Sequence, residues 1–351
     1  MANVGLTRRE LPAYLRDLLR QTAEIDDERL LVRCFSIAGL RVKVRFSDAG
    51  LADLYTARLT GFSSAAFPGA DLSVDVVEAG RLGLQAPARW EDQACSADLL
   101  ERELQAAGLQ AAYPYQGGLW QVHDDRNGAA LQFAGAVSDL PIWDSGAPLR
   151  LVLHWALLRR GWRLLHGATL GYGHDGVIVS GPGGIGKSAT ALAGIHHGLC
   201  TVGDDYVAVQ PGNPPAAWPI YRLFKQDAAG LGRFAGLDRR LTSAQVNWQG
   251  KLEFDPEEVV PGCMAQSLRL RAIIVPAIAR LPASRVEPMS RGEAIEALAR
   301  STITQLSGER ASAVLFCAGL TARLPVFRLS LSEDPAEIAA TIGSLIRDLA
   351  R

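Results

Sequence analysis

The chain has 351 residues, 48% hydrophobic and 21% charged, with a formal net charge of -1; this predicts two domains, or one α/β domain with a sizeable addition, and gives no reason to expect nucleic acid or an anionic membrane as partner. The five cysteines (34, 95, 200, 263 and 317) are scattered and form no C-x-x-C pair, which argues against a disulfide framework or a zinc site and for a reducing compartment. Arg8, Arg9 and Glu10 precede any apolar run, unlike a signal peptide, and no uncharged apolar run spans a bilayer, so a cytoplasmic protein is expected.

Residues 8–21 place Leu11, Tyr14, Leu15, Leu18 and Leu19 at helical spacing. Alternation over 29–37 and 40–46, broken at Ala38-Gly39, predicts a β-hairpin. A helix is expected over 52–59, a strand over 72–78 and a helix over 97–107. Residues 119–123 and 129–133 flank Asp124-Asp125-Arg126-Asn127-Gly128, a second hairpin with a strong turn signal. Residues 1–145 thus read as an α+β domain, to which a peptide-recognition or regulatory role is open. The Pro- and Gly-bearing stretch 141–148 marks the junction with a second domain, 146–351.

The second domain opens with an apolar helix over 149–160 and two strands, 163–171 and 176–181. Short strands follow at 199–203 and 206–210, then a Pro-rich excursion and a short strand at 220–223. Residues 224–262 show no periodicity and read as a loop region near a substrate. A buried strand is expected at 269–275, helices at 291–305 and 308–318, a strand at 325–329 and a closing amphipathic helix at 334–350. No internal repeat is present.

The stretch around which this domain is organised is Gly181-Pro182-Gly183-Gly184-Ile185-Gly186-Lys187-Ser188, which fits G-x-x-x-x-G-K-[ST]. Val177, Ile178 and Val179 precede it as a buried strand, and Ala189 begins a run of good helix formers. A loop leading from a strand into a helix aims unpaired N–H groups and the positive end of the helix dipole at one point, which suits a phosphate. Glycines 181, 183, 184 and 186 let the backbone approach the anion; with Ile185 and Ala189 they complete the expected nucleotide contacts. Lys187 is expected to reach the β- and γ-phosphates of ATP and Ser188 to ligand Mg²⁺.

Transfer needs more than a phosphate loop. Asp204 and Asp205 follow the next strand, and adjacent carboxylates repel unless they share a cation or proton. His166, in the strand that hairpins into the loop strand, is placed to orient a carboxylate or contact a phosphate, although a hydrogen-bonded core histidine has the same spacing. Arg222, Lys225, Arg233 and Lys251 are cationic candidates for the transferring phosphate, each also readable as a solvated surface charge. Trp218 and Trp248 read equally as a peptide groove or as caps on a core.

Together Leu165-His166-Gly167-Ala168, the loop and Val202-Gly203-Asp204-Asp205 resemble the catalytic domain of the HPr kinase/phosphorylase family, over about residues 150–210. The resemblance implies a P-loop α/β kinase domain of HPr-kinase type. It casts Asp204 as the base toward an acceptor serine hydroxyl, with His166 as its neighbour, and gives Asp205 a place at Mg²⁺ or in the local geometry. Residues 220–225 stand where that family carries a later signature segment with a second metal acid, and this chain lacks it. Residues 1–145 do not look like the family's regulatory domain. The chain looks more like the divergent HPr-kinase-like proteins of ribosomal peptide clusters, including lasso peptide kinases, so the resemblance implies a peptide or small-protein serine as acceptor. A homo-oligomer is left open. Two further readings stand beside the kinase: a non-catalytic nucleotide-binding module that gates docking of a partner, and a small-molecule kinase.

Overall fold

The computed structural model describes residues 6–90, 97–113, 118–234, 236–303, 306 and 310–351. The chain divides into two units, Met1–Arg160 and Gly161–Arg351.

In the first unit α1 (Leu11–Ala23) buries Leu11, Leu15 and Leu18 on one face, as helical spacing requires. β1 (Leu31–Ile37) and β2 (Leu40–Phe46) form the expected hairpin, with Ala38 and Gly39 both at positive φ, the backbone a two-residue hairpin turn needs. α2 (Ala49–Arg58) starts at Asp48, whose side chain accepts from the Leu51 N–H. Then come β3 (Phe62–Ser63), β4 (Leu72–Glu78), the one-turn α3 (Ala79–Leu82), α4 (Ala97–Ala106), β5 (Leu109–Ala112), β6 (Leu119–Asp124) and β7 (Ala129–Ala134). The strands form one sheet in the order β3-β1-β2-β4-β7-β6-β5, with β2, β4 and β7 parallel. α5 (Arg150–Leu158), which the sequence reading set in the second domain, packs on β6 in this unit. A buried polar chain crosses the unit. Gln121 Nε2 donates to Gln132 Oε1 at 2.7 Å, Gln132 Nε2 to the Tyr55 hydroxyl at 2.6 Å, and that hydroxyl to Asp144 Oδ2 at 2.6 Å. Burial pushes the Asp144 carboxyl up to about 6.

The second unit runs β8 (Arg163–Tyr172), β9 (Asp175–Ser180), α6 (Lys187–His196), β10 (Tyr206–Gln210), β11 (Ala216–Trp218), β12 (Phe224–Gln226) and α7 (Ala228–Leu231). It continues with β13 (Gln245–Val246), β14 (Leu252–Phe254), α8 (Pro256–Val259), β15 (Leu268–Leu281), β16 (Arg285–Pro288), α9 (Arg291–Ile303), α10 (Arg310–Arg323), β17 (Val326–Ser332) and α11 (Pro335–Ala350). Its main sheet has the order β11-β10-β8-β9-β15-β17-β16, with β9, β15 and β17 parallel. β11 also pairs with the start of β15, so β10, β8, β9, β15 and β11 close a cycle of pairings. Alternation splits the core between the two faces of this sheet. Val177, Val179, Ala272 and Ile274 pack with residues of α6 and α11, while Ile178 and Ile273 pack with residues of α9 and α10.

Four expectations are corrected. Residues 199–203 make isolated bridges rather than a strand, and 220–223 make no strand. The supposed loop region 224–262 instead contains a three-stranded sheet, β12-β14-β13, with α7 and α8; strands of two or three residues are too short to show a period. The strand expected at 269–275 runs on to Leu281, because Pro276 pairs opposite Leu329 without ending it. The ends of the two late helices placed at 291–305 and 308–318 reach residues outside those described, as does Cys95.

Candidate functional site

The loop 181–188 joins β9, pinned between β8 and β15, to α6. Gly186 caps the helix at φ 99°, and Gly184 turns at φ 80°, both in left-handed backbone that favours glycine. A methyl group added at Gly183 or Gly184 would meet nothing within 4 Å, so the loop is open to solvent at both. Gly181 is filled from behind: a Cβ there would come 2.5 Å from Ile185 Cδ1. The buried Lys187 ammonium donates to the loop's own carbonyls, Gly181 O at 2.8 Å and Pro182 O at 2.9 Å. Burial lowers its pKa, partly offset by the charges of Asp204 and Asp205.

The turn carrying the two aspartates is clamped to β8. Thr169 N donates to Gly203 O at 3.0 Å, Val202 N to Thr169 Oγ1 at 2.9 Å, and Gly167 N to Asp205 O at 3.0 Å. Asp205 sits at φ 73°, a left-handed conformation unusual for a residue with a side chain and one that aspartate tolerates better than most. The clamp sends the two neighbouring carboxylates to different partners. Asp204, only 2% exposed, takes the Ser188 hydroxyl on Oδ1 at 3.2 Å, and its buried Oδ2 has no hydrogen-bond partner. Burial first, then repulsion from Asp205, raises its pKa. Asp205 has Oδ1 2.9 Å from His166 Nε2 and Oδ2 2.9 Å from Lys225 Nζ. Burial works to raise its pKa, but the Lys225 ammonium and the His166 hydrogen bond outweigh it and hold the carboxyl far below the ordinary range.

His166 therefore neighbours Asp205, where the sequence reading set it beside Asp204. Its Nδ1 lies 2.6 Å from Ser301 Oγ on α9. Because an ionised carboxylate only accepts, Nε2 carries the proton toward Asp205. Of the four cationic candidates, Lys225 reaches the acidic pair. Arg222 donates to Asp255 at 2.6 Å, Arg233 to Glu333 O at 2.6 Å, and the charge of Lys251 acts on Lys187. Trp218 stacks at 5.7 Å on Trp162, and Trp248 is exposed.

Sequence reasoning missed Ser301 and Glu253. Glu253 Oε1 stands 3.7 Å from Lys225 Nζ and accepts from Asn247 Nδ2 at 3.0 Å. Lys225 and Glu253 are direct cross-strand partners of β12 and β14. Each adjoins a phenylalanine of the core, Phe224 or Phe254, and that pairing of charge and aromatic in two short segments was the one available signal. Nothing in the sequence marks Ser301.

The residues present fit a triphosphate with its cation. The loop is open at Gly183 and Gly184, Ser188 Oγ and Asp204 Oδ1 lie 3.2 Å apart where a cation could bridge them, and Asp204 Oδ2 is buried without a partner. Among the described residues no three His, Cys, Asp or Glu gather to hold a metal alone. Ser188 and Asp204 would share a cation with phosphate oxygens, as Mg²⁺ prefers.

No family model matches the chain, and no curated protein matches it. Among solved structures, the Hpr(Ser) kinase/phosphatase from Coxiella burnetii aligns at 14% identity and a TM-score of 0.29, covering 53% of this chain and 89% of that one. A likeness this slight assigns no family. The mixed α/β architecture rests on the strands and helices described above. No helix among the described residues is long and apolar enough to cross a membrane.

Proposed function

We propose that the second unit binds ATP with Mg²⁺ on the loop 181–188 and transfers the terminal phosphoryl group to a serine hydroxyl of a peptide or small protein. The observation that carries this reading is the division of labour between two adjacent acids beside the loop: Asp204 on Ser188 with one oxygen free, and Asp205 tied to His166 and Lys225. A general base needs an oxygen free to take the proton. Asp204 Oδ2 has no partner, whereas both oxygens of Asp205 are engaged. We assign Asp204 Oδ2 to accept the hydroxyl proton.

Ser188 Oγ and Asp204 Oδ1 would hold Mg²⁺, which neutralises charge on the phosphates. Of the two roles expected of Asp205, at Mg²⁺ or in the local geometry, we assign it the second, since both its oxygens are engaged. Asp205 instead holds His166 and Lys225 in place behind Asp204. Lys187 would exchange its two loop carbonyls for phosphate oxygens. That the acceptor is a serine, and that it belongs to a ribosomally made precursor peptide such as a lasso peptide precursor, rests only on the family resemblance carried by the three spaced motifs in the sequence.

The test is mass spectrometry of serine-bearing peptides after incubation with the full chain, ATP and Mg²⁺. An added phosphate on serine is the expected result. Phosphorylation of free alcohols but not peptides would replace this reading with a small-molecule kinase, and bound nucleotide without turnover would replace it with a gating module.

A further inference from the structure

At the amino ends of the parallel strands β2, β4 and β7, segments of the first unit surround a cavity of about 390 Å³. Arg126 and Asn127 come from the turn between β6 and β7, Arg159 and Arg160 from the end of α5, Asp71 from the approach to β4, and His123 from β6. The one lining carboxylate is already matched. Arg41 donates to Asp71 through its main-chain N at 2.8 Å and through Nε and Nη2 at 3.2 Å each. Arg160 Nη2 stands 3.6 Å from the same carboxylate, while its Nη1 donates to Gly39 O at 3.0 Å.

Among the described residues no carboxylate pairs with the side chain of Arg126 or of Arg159. Arg126 lies over Gly108, where a Cβ would come 2.6 Å from its Nε, and Asp124 holds its turn by accepting from Arg126 N and Asn127 Nδ2. His123 is buried, with Nδ1 3.1 Å from Asp125 Oδ1 and 3.0 Å from Gln110 Oε1. A carboxylate and an amide oxygen both accept, so Nδ1 carries the proton. Among the residues that line the cavity, three guanidinium groups (Arg126, Arg159 and Arg160) thus stand against one carboxylate, Asp71, with the Asp125 carboxylate set behind His123.

We infer that this cavity is a binding site for a small, multiply charged anion of the phosphate or clustered-carboxylate class. Planar guanidinium forks match the oxygens of both groups. The volume is that of a small-molecule site rather than a groove for a chain. The first unit thereby gains a ligand of its own, and the inference does not depend on the second unit being a kinase.

The experiment is calorimetric titration of the full chain carrying Lys187→Ala, which removes the competing loop, with pyrophosphate and separately with citrate. One saturable site per chain is expected for at least one of them, and the preferred anion distinguishes phosphate from carboxylate. Arg126→Gln with Arg159→Gln should weaken it at least about tenfold, the loss of one or two charge-assisted hydrogen bonds. Both side chains are exposed, so an unchanged circular dichroism spectrum is expected to accompany that loss. Absence of binding by both anions, or binding that the double variant leaves intact, overturns the site. Binding of an acidic decapeptide when both small anions fail overturns the ligand class.

Discussion

Lys225 Nζ and Asp205 Oδ2 stand 2.9 Å apart, and that contact fixes which of two adjacent aspartates is tied down and which is left with a free oxygen. Lys225 belongs to a small sheet outside the main one and Asp205 to a turn held on β8, so the pair joins two parts of the second unit.

Replacing Lys225 by methionine removes that join. Asp205 is partly exposed, so a loss of about 1–3 kcal/mol at pH 7 is expected in urea unfolding. The pH dependence gives a second check. The folded-state pKa of Asp205 is depressed below 3.8, so its stabilisation is present above that pH and lost as pH falls through the folded value. Lys225→Met should reduce this acid-side loss. A variant as stable as the parent, with an unchanged acid limb, would remove the pair from the account.

Asp204→Asn keeps the shape of the side chain and its contact with Ser188 but takes away the proton acceptor. ATP binding should persist while transfer falls by roughly 10²–10⁴-fold, the usual worth of a general base. Single-turnover phosphorylation beside equilibrium nucleotide binding separates the two effects. Transfer at the parental rate would show the base assignment to be wrong.

Lys187→Ala should abolish nucleotide-dependent transfer, with a loss of at least about 10²-fold expected for removal of a donor aimed at developing charge. Because this ammonium is bonded to the Gly181 and Pro182 carbonyls, the loop should also change shape, visible as faster amide exchange over 183–186. Unaltered turnover would exclude the loop from the reaction.

Asp144 gives a test in the first unit. Its folded pKa is raised from 3.8 to about 6, so between those values the folded state keeps a proton that the unfolded chain has released. Stability should therefore fall as pH rises through that window, by up to ~3 kcal/mol, and stay lower above it. Asp144→Asn keeps an acceptor for the Tyr55 hydroxyl without the charge, and should flatten that dependence and raise stability at pH 7. Thermal melts across pH 4–8 would reveal the opposite sign if the carboxylate is stabilising when ionised.

The long elements were legible because each carries its own period or turn. The hairpin at Ala38-Gly39, the loop strand and its helix, and the closing helix α11 fall where residue spacing put them. The spacing of His166, the loop and the aspartate pair also announced a cluster. Which aspartate met which partner was not legible, because it depends on a left-handed turn at Asp205 and on hydrogen bonds to Thr169 and Gly167 that no local pattern encodes. Glu253, and its place opposite Lys225, escaped for a related reason: strands of three residues show their charges opposite one another only after folding.

The cycle of strand pairings that includes β11 and β15 has a mechanical consequence. β9, which delivers the phosphate loop, has a hydrogen-bonded neighbour on either side and lies in a group of five strands that hold one another. Its amides should be among the slowest in the chain to exchange with solvent. Whatever rearrangement accompanies ligand capture then falls to the loop and its lysine, while the platform beneath them stays still.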